Sequence, residues 1–148
     1  MNKAEVLQKS RLFENLLPEE IEMLAELSVM RRYKGGEVVF EKGDVGDSLF
    51  MVVEGDVEVL LRDGSGEPKV LATLGIHDFF GEMSLIDKEY RSATVRAKSD
   101  CALLLLTHEN LHAFSKAFRE GFTWITVNIA RVLSQRLRET NRRLAEKL

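Results

Sequence analysis

Residues 35–62 read GGEVVFEKGDVGDSLFMVVEGDVEVLLR, and this stretch limits the architectures that the chain can adopt. Its β-branched and aromatic residues form three short runs, each bounded by glycine and aspartate residues that favour tight turns. Three similar runs follow, so six strands are predicted, at 37–41, 48–53, 57–62, 69–74, 93–97 and 101–106. Short strands at intervals of about ten residues indicate an antiparallel barrel or sandwich, rather than a parallel sheet with crossover helices.

The segment before the strands favours helices. A short helix is predicted over residues 2–10. Pro18 then opens a clearer helix, because proline is tolerated in a first helical turn and the acidic residues after it complement the helix dipole. Apolar residues recur at helical spacing in this second helix, and Gly35 and Gly36 are expected to end it.

The segment after the strands is also helical. Thr107 can cap a helix that runs to residue 117, and Gly121 separates it from a longer helix over 122–147. Steps of four and three residues along the long helix fit a seam against a core or a partner helix. The seam consists of Ile129, Leu133, Leu137, Thr140, Leu144 and Leu148.

Length and composition suit one globular domain, with 45% hydrophobic and 30% charged residues in 148. It is divided into N-terminal helices at 1–34, a β-barrel at 35–106 and C-terminal helices at 107–148. The net charge of −3 does not favour nucleic acid as a partner of the whole chain. Residues 131–148 carry +4 and residues 1–130 carry −7, and the basic end is interpreted as a solvated helix face.

The cysteine count and the hydropathy pattern limit the classes of protein to which the chain can belong. Cys101 is the single cysteine, so an intrachain disulfide is excluded, and its apolar surroundings predict a buried thiol. The longest apolar run has six residues, far fewer than the roughly 20 that span a bilayer. The N-terminus lacks the apolar core of a signal peptide, and a cytoplasmic protein is expected.

Residues 80–95, FGEMSLIDKEYRSATV, carry the side chains best suited to chemistry. Gly81 allows a ligand to approach the backbone closely, and the N–H groups of a helical turn after it would attract an anion. Arg91 can offer a forked pair of donors to phosphate oxygens. Glu82 would repel a phosphate but accepts well from a sugar hydroxyl.

This segment resembles the phosphate-binding cassette of the cyclic-nucleotide-binding domain family, which includes bacterial catabolite activators, kinase regulatory subunits and nucleotide-gated channels. The resemblance rests on Gly81 and Glu82, on the nine-residue step from Glu82 to Arg91, and on the sequence RSATV at 91–95. The stretch 35–57 is similar to the family's first strands, so the resemblance covers about residues 10–148. It implies a mainly β jelly roll, also called a double-stranded β-helix, with N-terminal helices and a long C-terminal helix.

The resemblance also implies roles for individual residues. Glu82 is expected to accept the ribose 2′-hydroxyl, and Arg91 to pair with the cyclic phosphate. Val59 and Leu71 match positions that pack against the base, and Leu85 matches a hinge that moves the C-terminal helix. Backbone or small-residue contacts to the ligand are expected from Gly81, Met83, Ser84, Ser92 and Ala93.

The long helix is most similar to that of the catabolite activators, in which a Thr-Ser pair contacts adenine across a dimer. Thr140 and Asn141 align with that pair, and Arg136 is expected to brace Glu82. The resemblance thus implies a homodimer through this helix. It also implies a cyclic purine nucleotide as ligand, with cyclic AMP favoured over cyclic GMP.

No catalytic or metal-binding set emerges from the sequence. His108 and His112 lie at helical spacing without a third ligand, and Ser84 and Ser92 lack a nearby base. A non-catalytic switch without cofactor is therefore expected, acting on an unknown effector. Two alternatives stay open: a ligand-free interaction module, or a fragment of a helix-turn-helix regulator that would not bind DNA specifically by itself.

Overall fold

The computed structural model describes residues 2–62, 66–82 and 90–148. Its strands are β1 (Val29–Tyr33), β2 (Val38–Phe40), β3 (Ser48–Glu54), β4 (Val57–Leu61), β5 (Lys69–Leu74), β6 (Phe79–Phe80), β7 (Thr94–Ala97) and β8 (Cys101–Thr107). Its helices are α1 (Lys3–Gln8), α2 (Pro18–Leu27), α3 (His108–Ala117) and α4 (Arg119–Glu146), with a 3₁₀ turn at Arg11–Phe13.

The strands form two antiparallel sheets, ordered β1-β8-β3-β6 and β2-β7-β4-β5. The predicted fold class is confirmed, since a mainly β jelly roll carries N-terminal helices and a long C-terminal helix. The β-barrel expected for residues 35–106 is instead a sandwich of two four-stranded sheets that does not close into a barrel.

Strands β3 and β8 are buried on both faces. Leu103 and Leu105 of β8 pack between the sheets, whereas Leu104 and Leu106 pack against the helices. Each fully buried side chain of this size contributes about 1.5–3 kcal/mol to stability. Double burial explains why these strands read as uninterrupted apolar runs rather than as alternating patterns.

The predicted buried thiol is also confirmed. Cys101, at the start of β8, is 4% exposed. Burial raises the pKa of its thiol, and the carboxylates of Asp100, Glu37 and Asp56 raise the pKa further. The thiol is therefore kept protonated and unreactive.

Several elements differ from the prediction, and the first differences are two strands and the end of α2. Helix α2 ends at Leu27, and the residues after it, assigned to helix from the sequence, form β1 at the edge of the first sheet. Each residue of β1 pairs with β8, from Val29 opposite Leu105 to Tyr33 opposite Cys101. A partner more than sixty residues away along the chain thus overrides local helical spacing. Strand β6 was also missed, because two residues carry no periodicity.

Helix α4 starts earlier than predicted, at Arg119, because Gly121 does not interrupt it. Gly121 is buried inside the helix, and a β-carbon there would collide with the Glu20 carboxylate. Glu20 is itself held by the Leu17 N–H, which donates to its Oε1 atom at 2.8 Å. This glycine therefore serves close packing of α4 against α2, and the helix break lies at Phe118.

The buried Asn128 ties α4 to the N-terminal segment. Its side-chain nitrogen donates to the carbonyl oxygens of Leu12 and Glu14, at 2.9 Å each. Ile129 and Val132 nearby are buried in the helical core, but every residue from 137 to 148 is exposed. Helix α4 is thus a core helix around Ile129 and Val132 and is exposed from residue 137 onward.

Candidate functional site

A cavity of about 260 Å³ opens between the second sheet and α4. Its volume is close to the lower end of the roughly 300–1,000 Å³ range of small-molecule sites. Three charged side chains enter an otherwise mostly apolar wall. The lining consists of Phe40, Val59, Ala72, Leu74, Phe80, Gly81, Glu82, Tyr90, Arg91, Ser92, Ala93, Val95 and Arg136.

Arg91 is fixed at both its backbone and its side chain. Its N–H donates to the carbonyl oxygen of Asp44 at 2.7 Å, and its carbonyl accepts from the Gly43 N–H at 2.9 Å. The guanidinium Nη2 atom donates to the backbone oxygen of Ser48 at 2.9 Å and to its hydroxyl at 3.2 Å. The guanidinium carbon also lies 4.1 Å from the centre of the Phe40 ring, which is a cation–π contact.

The charge of Arg91 is held in a largely dry environment, since the residue is 7% exposed. Burial lowers the pKa of its guanidinium, and the carboxylates of Asp47, Asp44 and Glu82 oppose that change. Arginine nevertheless stays protonated in proteins, so the cavity holds a fixed positive charge. An anion that enters the cavity would interact with this charge at reduced solvent screening.

Gly81 is required for this arrangement. Its φ angle is +82°, a conformation that other residues rarely adopt. A β-carbon there would lie 2.8 Å from the Nη1 atom of Arg91 and 2.9 Å from the carbonyl oxygen of Ser48. The glycine therefore leaves the space that the guanidinium occupies.

Glu82 connects the cavity to the long helix. The carboxylate is 7% exposed and accepts from the Nη1 atom of Arg136 at 3.3 Å, as the sequence analysis expected. Arg136 also donates through Nη2 to the carbonyl oxygen of Phe79 at 3.2 Å and lies 5.0 Å from the centre of the Phe79 ring. The ion pair between Glu82 and Arg136 thus joins the cavity wall to α4.

Seven of the residues proposed from the sequence surround this one cavity. They are Val59, Gly81, Glu82, Arg91, Ser92, Ala93 and Arg136. Met83, Ser84 and the hinge residue Leu85 lie outside the described residues. Thr140 and Asn141 are exposed and do not line the cavity, and the Thr140 hydroxyl donates to the Arg136 carbonyl at 2.9 Å. The ligand contacts expected of Met83, Ser84, Thr140 and Asn141 stay predictions.

Leu71 lies outside the cavity lining and is 54% exposed. The reason is a bulge in β5. Val59 pairs with Ala72 and Leu60 pairs with Val70, so Leu71 has no opposite residue. Ala72 therefore faces the cavity beside Val59, and a base contact from Leu71 stays a prediction.

Sequence reasoning did not assign several residues of the cavity wall, some from distant strands and some from within residues 80–95. Phe40, Leu74, Phe80 and Val95 line the cavity, as does Tyr90. Strand alternation was the available signal, because Val57, Val59, Val95 and Phe50 share the interior between the sheets. The role of Ser48 had no signal, since it depends on β3 lying beside residue 91.

Comparison with known proteins agrees with this geometry. Residues 30–118 match the family described as the cyclic nucleotide-binding domain, and the chain belongs to that family. The Cyclic AMP receptor protein of Thermus thermophilus is 35% identical over 135 residues, which are 91% of this chain and 61% of that protein. The chain thus spans less than two thirds of that relative.

Two further similarities define the range of the family. The crystal structure of Thermus thermophilus Catabolite Activator Protein superposes with a TM-score of 0.78 at 35% identity, covering 92% of this chain and 62% of the other. The cGMP-dependent protein kinase egl-4 of Caenorhabditis elegans is 33% identical over 94 residues, or 63% of this chain and 12% of the kinase. The family therefore includes relatives named for either cyclic nucleotide.

Membrane spans and metal clusters are both absent from residues 2–62, 66–82 and 90–148. No helix in these ranges has the length and apolar character needed to cross a membrane. The same ranges contain no group of three or more histidine, cysteine, aspartate or glutamate residues placed to hold a metal ion.

Proposed function

We propose that this chain binds a cyclic purine nucleotide in the cavity and acts as a non-catalytic, cytoplasmic regulatory switch. One observation carries the proposal. A buried guanidinium and a buried carboxylate line the same cavity, and the remaining wall is mostly apolar. A cyclic nucleotide combines an anionic phosphodiester, a ribose hydroxyl and a flat base that such a wall can cover.

Each part of the ligand has a proposed partner. Arg91 pairs with the cyclic phosphate, because a guanidinium can form two parallel charge-assisted hydrogen bonds. Glu82 accepts the ribose 2′-hydroxyl, and Val59 and Ala72 pack against the base. Further contacts are proposed from Gly81, Met83, Ser84, Leu71, Ser92, Ala93, Thr140 and Asn141, following the family resemblance.

The switch is proposed to act through Arg136. When a ribose hydroxyl donates to Glu82, it shares the carboxylate that Arg136 contacts. The balance of contacts at α4 then changes, so ligand binding alters the position of this helix. Coupling of this kind is typically about 1–3 kcal/mol, which changes the affinity for a partner several-fold or more.

Cyclic AMP is proposed as the preferred ligand. Similarity to the receptor protein named for cyclic AMP extends over 91% of the chain, against 63% for the kinase named for cyclic GMP. The longer similarity includes part of α4, where the proposed base contacts of Thr140 and Asn141 lie.

A homodimer through α4 is also proposed. Leu137 and Leu144 are 61% and 58% exposed, and they continue the seam beyond the domain. A second copy would cover these leucines. The downstream effector stays unknown, and specific DNA binding by this chain alone is not expected.

Isothermal titration calorimetry with cyclic AMP and cyclic GMP tests the proposal. Wild-type protein should bind cyclic AMP more tightly, and Arg91→Ala should weaken binding by about 100-fold, since it removes a bidentate charged contact. Arg32→Ala serves as the matched control. Its side chain is 71% exposed and pairs with Glu54 far from the cavity, so affinity should be unchanged.

Two results would contradict the proposal. Equal affinity of Arg91→Ala and wild type for cyclic AMP would show that Arg91 does not contribute to ligand binding. No binding of either nucleotide to folded wild-type protein would instead favour a ligand-free interaction module. The melting temperature of each unliganded variant shows whether it is folded.

A further inference from the structure

We infer that Ser48 is a positioning residue that orients the Arg91 guanidinium through its hydroxyl group, an inference that rests on the proposed function. Ser48 begins β3 and is 4% exposed, yet it does not line the cavity. Any effect of its side chain on ligand binding must therefore pass through a neighbour, and its hydroxyl contacts the cavity residue Arg91.

The contact uses two acceptors on one residue. The Nη2 atom of Arg91 reaches the Ser48 carbonyl oxygen at 2.9 Å and the Ser48 hydroxyl oxygen at 3.2 Å. Two acceptors on one guanidinium nitrogen determine both the position of that nitrogen and the plane of the group. The carbonyl is available from any residue at position 48, whereas the second acceptor requires a hydroxyl.

Asp47 makes the hydroxyl a better acceptor. The Ser48 hydroxyl donates its one proton to the Oδ1 atom of Asp47 at 3.1 Å. Its lone pairs are then directed toward Arg91, because a serine hydroxyl has one donor and two acceptor positions. A chain of hydrogen bonds thus runs from the guanidinium through Ser48 to a carboxylate, and each bond polarises the next.

Two further neighbours confine the same guanidinium. The Phe40 ring centre lies 4.1 Å from its central carbon, and Gly81 leaves room for Nη1 where a β-carbon would lie 2.8 Å away. Neither neighbour supplies a hydrogen-bond acceptor from its side chain. Ser48 therefore provides a directional contact that helps to orient the guanidinium in the cavity. Such preorganisation increases affinity because less conformational freedom is lost on binding.

The test compares Ser48→Thr with Ser48→Val, two side chains of equal shape that differ in the hydroxyl. Calorimetry with cyclic AMP should show Ser48→Thr within about twofold of wild type and Ser48→Val about tenfold weaker. Ser48→Ala, which introduces no added bulk, should resemble Ser48→Val and replaces it if the valine variant does not fold. Melting temperatures of the unliganded variants check folding.

A second measurement does not need the ligand. Nitrogen-15 NMR of the arginine side chains reports rotation of each guanidinium about its Nε–Cζ bond. In unliganded wild type and Ser48→Thr this rotation should be slow for Arg91, with separate Nη signals. In Ser48→Val and Ser48→Ala it should be faster, with merged signals, while Arg32 behaves alike in all proteins.

The outcomes separate this inference from the proposed function. If wild type binds cyclic AMP, Arg91→Ala does not, and Ser48→Val matches Ser48→Thr in affinity, the positioning role is overturned and the function stands. If wild type binds neither nucleotide, the proposed function fails and the NMR comparison decides alone. Merged signals only in the variants without a hydroxyl support the role, and identical signals in all variants overturn it.

Discussion

At the closed end of the cavity, Arg91 is 7% exposed and is bonded to Asp44, Gly43 and Ser48, whereas all of residues 137–148 are exposed. At the closed end, hydrogen bonds, an aromatic ring and a glycine each restrict the position of the Arg91 guanidinium. The end of α4 is held in place by its own helical hydrogen bonds and by contacts between its own side chains. Recognition of a small ligand needs the first kind of structure, and an exposed apolar seam suits contact with another molecule.

The largest expected effect tests whether the closed end is as restricted as this comparison requires. Gly81→Ala should reduce cyclic AMP affinity by about 100-fold, because the added β-carbon displaces the guanidinium and its charge-assisted bonds. Gly36→Ala is the matched control, since Gly36 also has a positive φ, of +91°, but no atom lies within 4 Å of its added β-carbon.

Backbone strain should cost each glycine variant roughly 1–2 kcal/mol of stability, measured by urea unfolding, and the overlap with the Ser48 carbonyl should add to that cost in Gly81→Ala. Calorimetry should show the loss of affinity in Gly81→Ala alone. Equal affinities in the two variants would show that Gly81 is needed for its positive φ angle alone, and not to leave space for Arg91.

A smaller effect is expected at Arg136, where the two regions meet. Arg136→Leu removes the contact between Glu82 and α4 and should weaken cyclic AMP binding by about fivefold, the lower end of typical couplings. Hydrogen exchange of the α4 amides should respond to cyclic AMP in wild type and lose that response in the variant. Arg138→Leu, an exposed change on the same helix, should retain it, and a retained response in Arg136→Leu would show that coupling takes another route.

The smallest effect on the fold is expected at the free end of α4. Leu144→Ala should change the free energy of unfolding by less than about 0.5 kcal/mol in dilute, monomeric protein, because this side chain is 58% exposed. Ile129→Ala, on the buried part of the same helix, should cost about 2–5 kcal/mol.

Sedimentation equilibrium of Leu137→Glu tests the proposed dimer, and an unchanged molar mass relative to a dimeric wild type would place the interface elsewhere.

The parts of the fold that local sequence specifies were predicted correctly. Six strands, the cap at Thr107 and the long helix follow from periodicity and turn residues within short windows. Strand β1 was wrongly assigned to helix because its conformation depends on pairing with β8. The start of α4 was wrong for a similar reason, since Gly121 is determined by the approach of Glu20 and not by its own helix.

The residues of the site fall into the same two groups, those that the local sequence identifies and those that only folding brings together. Gly81, Glu82, Arg91, Ser92 and Ala93 lie in one continuous segment, so a motif in the sequence is enough to group them. Phe40 and Ser48 enter from other strands, and their contacts with the guanidinium arise only when the sheets pack. At Leu71 an inserted residue in the strand changed which side chain faces inward, which alternation alone could not foresee.

The amide of Asn128 has a mechanical consequence for how a signal would leave the domain. Its nitrogen joins the middle of α4 to two carbonyl groups beside the 3₁₀ turn, and Gly121 seats the start of α4 against Glu20 of α2. A rotation of α4 must therefore either break these contacts or move the 3₁₀ turn and α2 together with α4. If α4 rotates on ligand binding, as proposed, a partner that binds the amino-terminal helices would respond to the nucleotide, as would a partner that binds the end of α4.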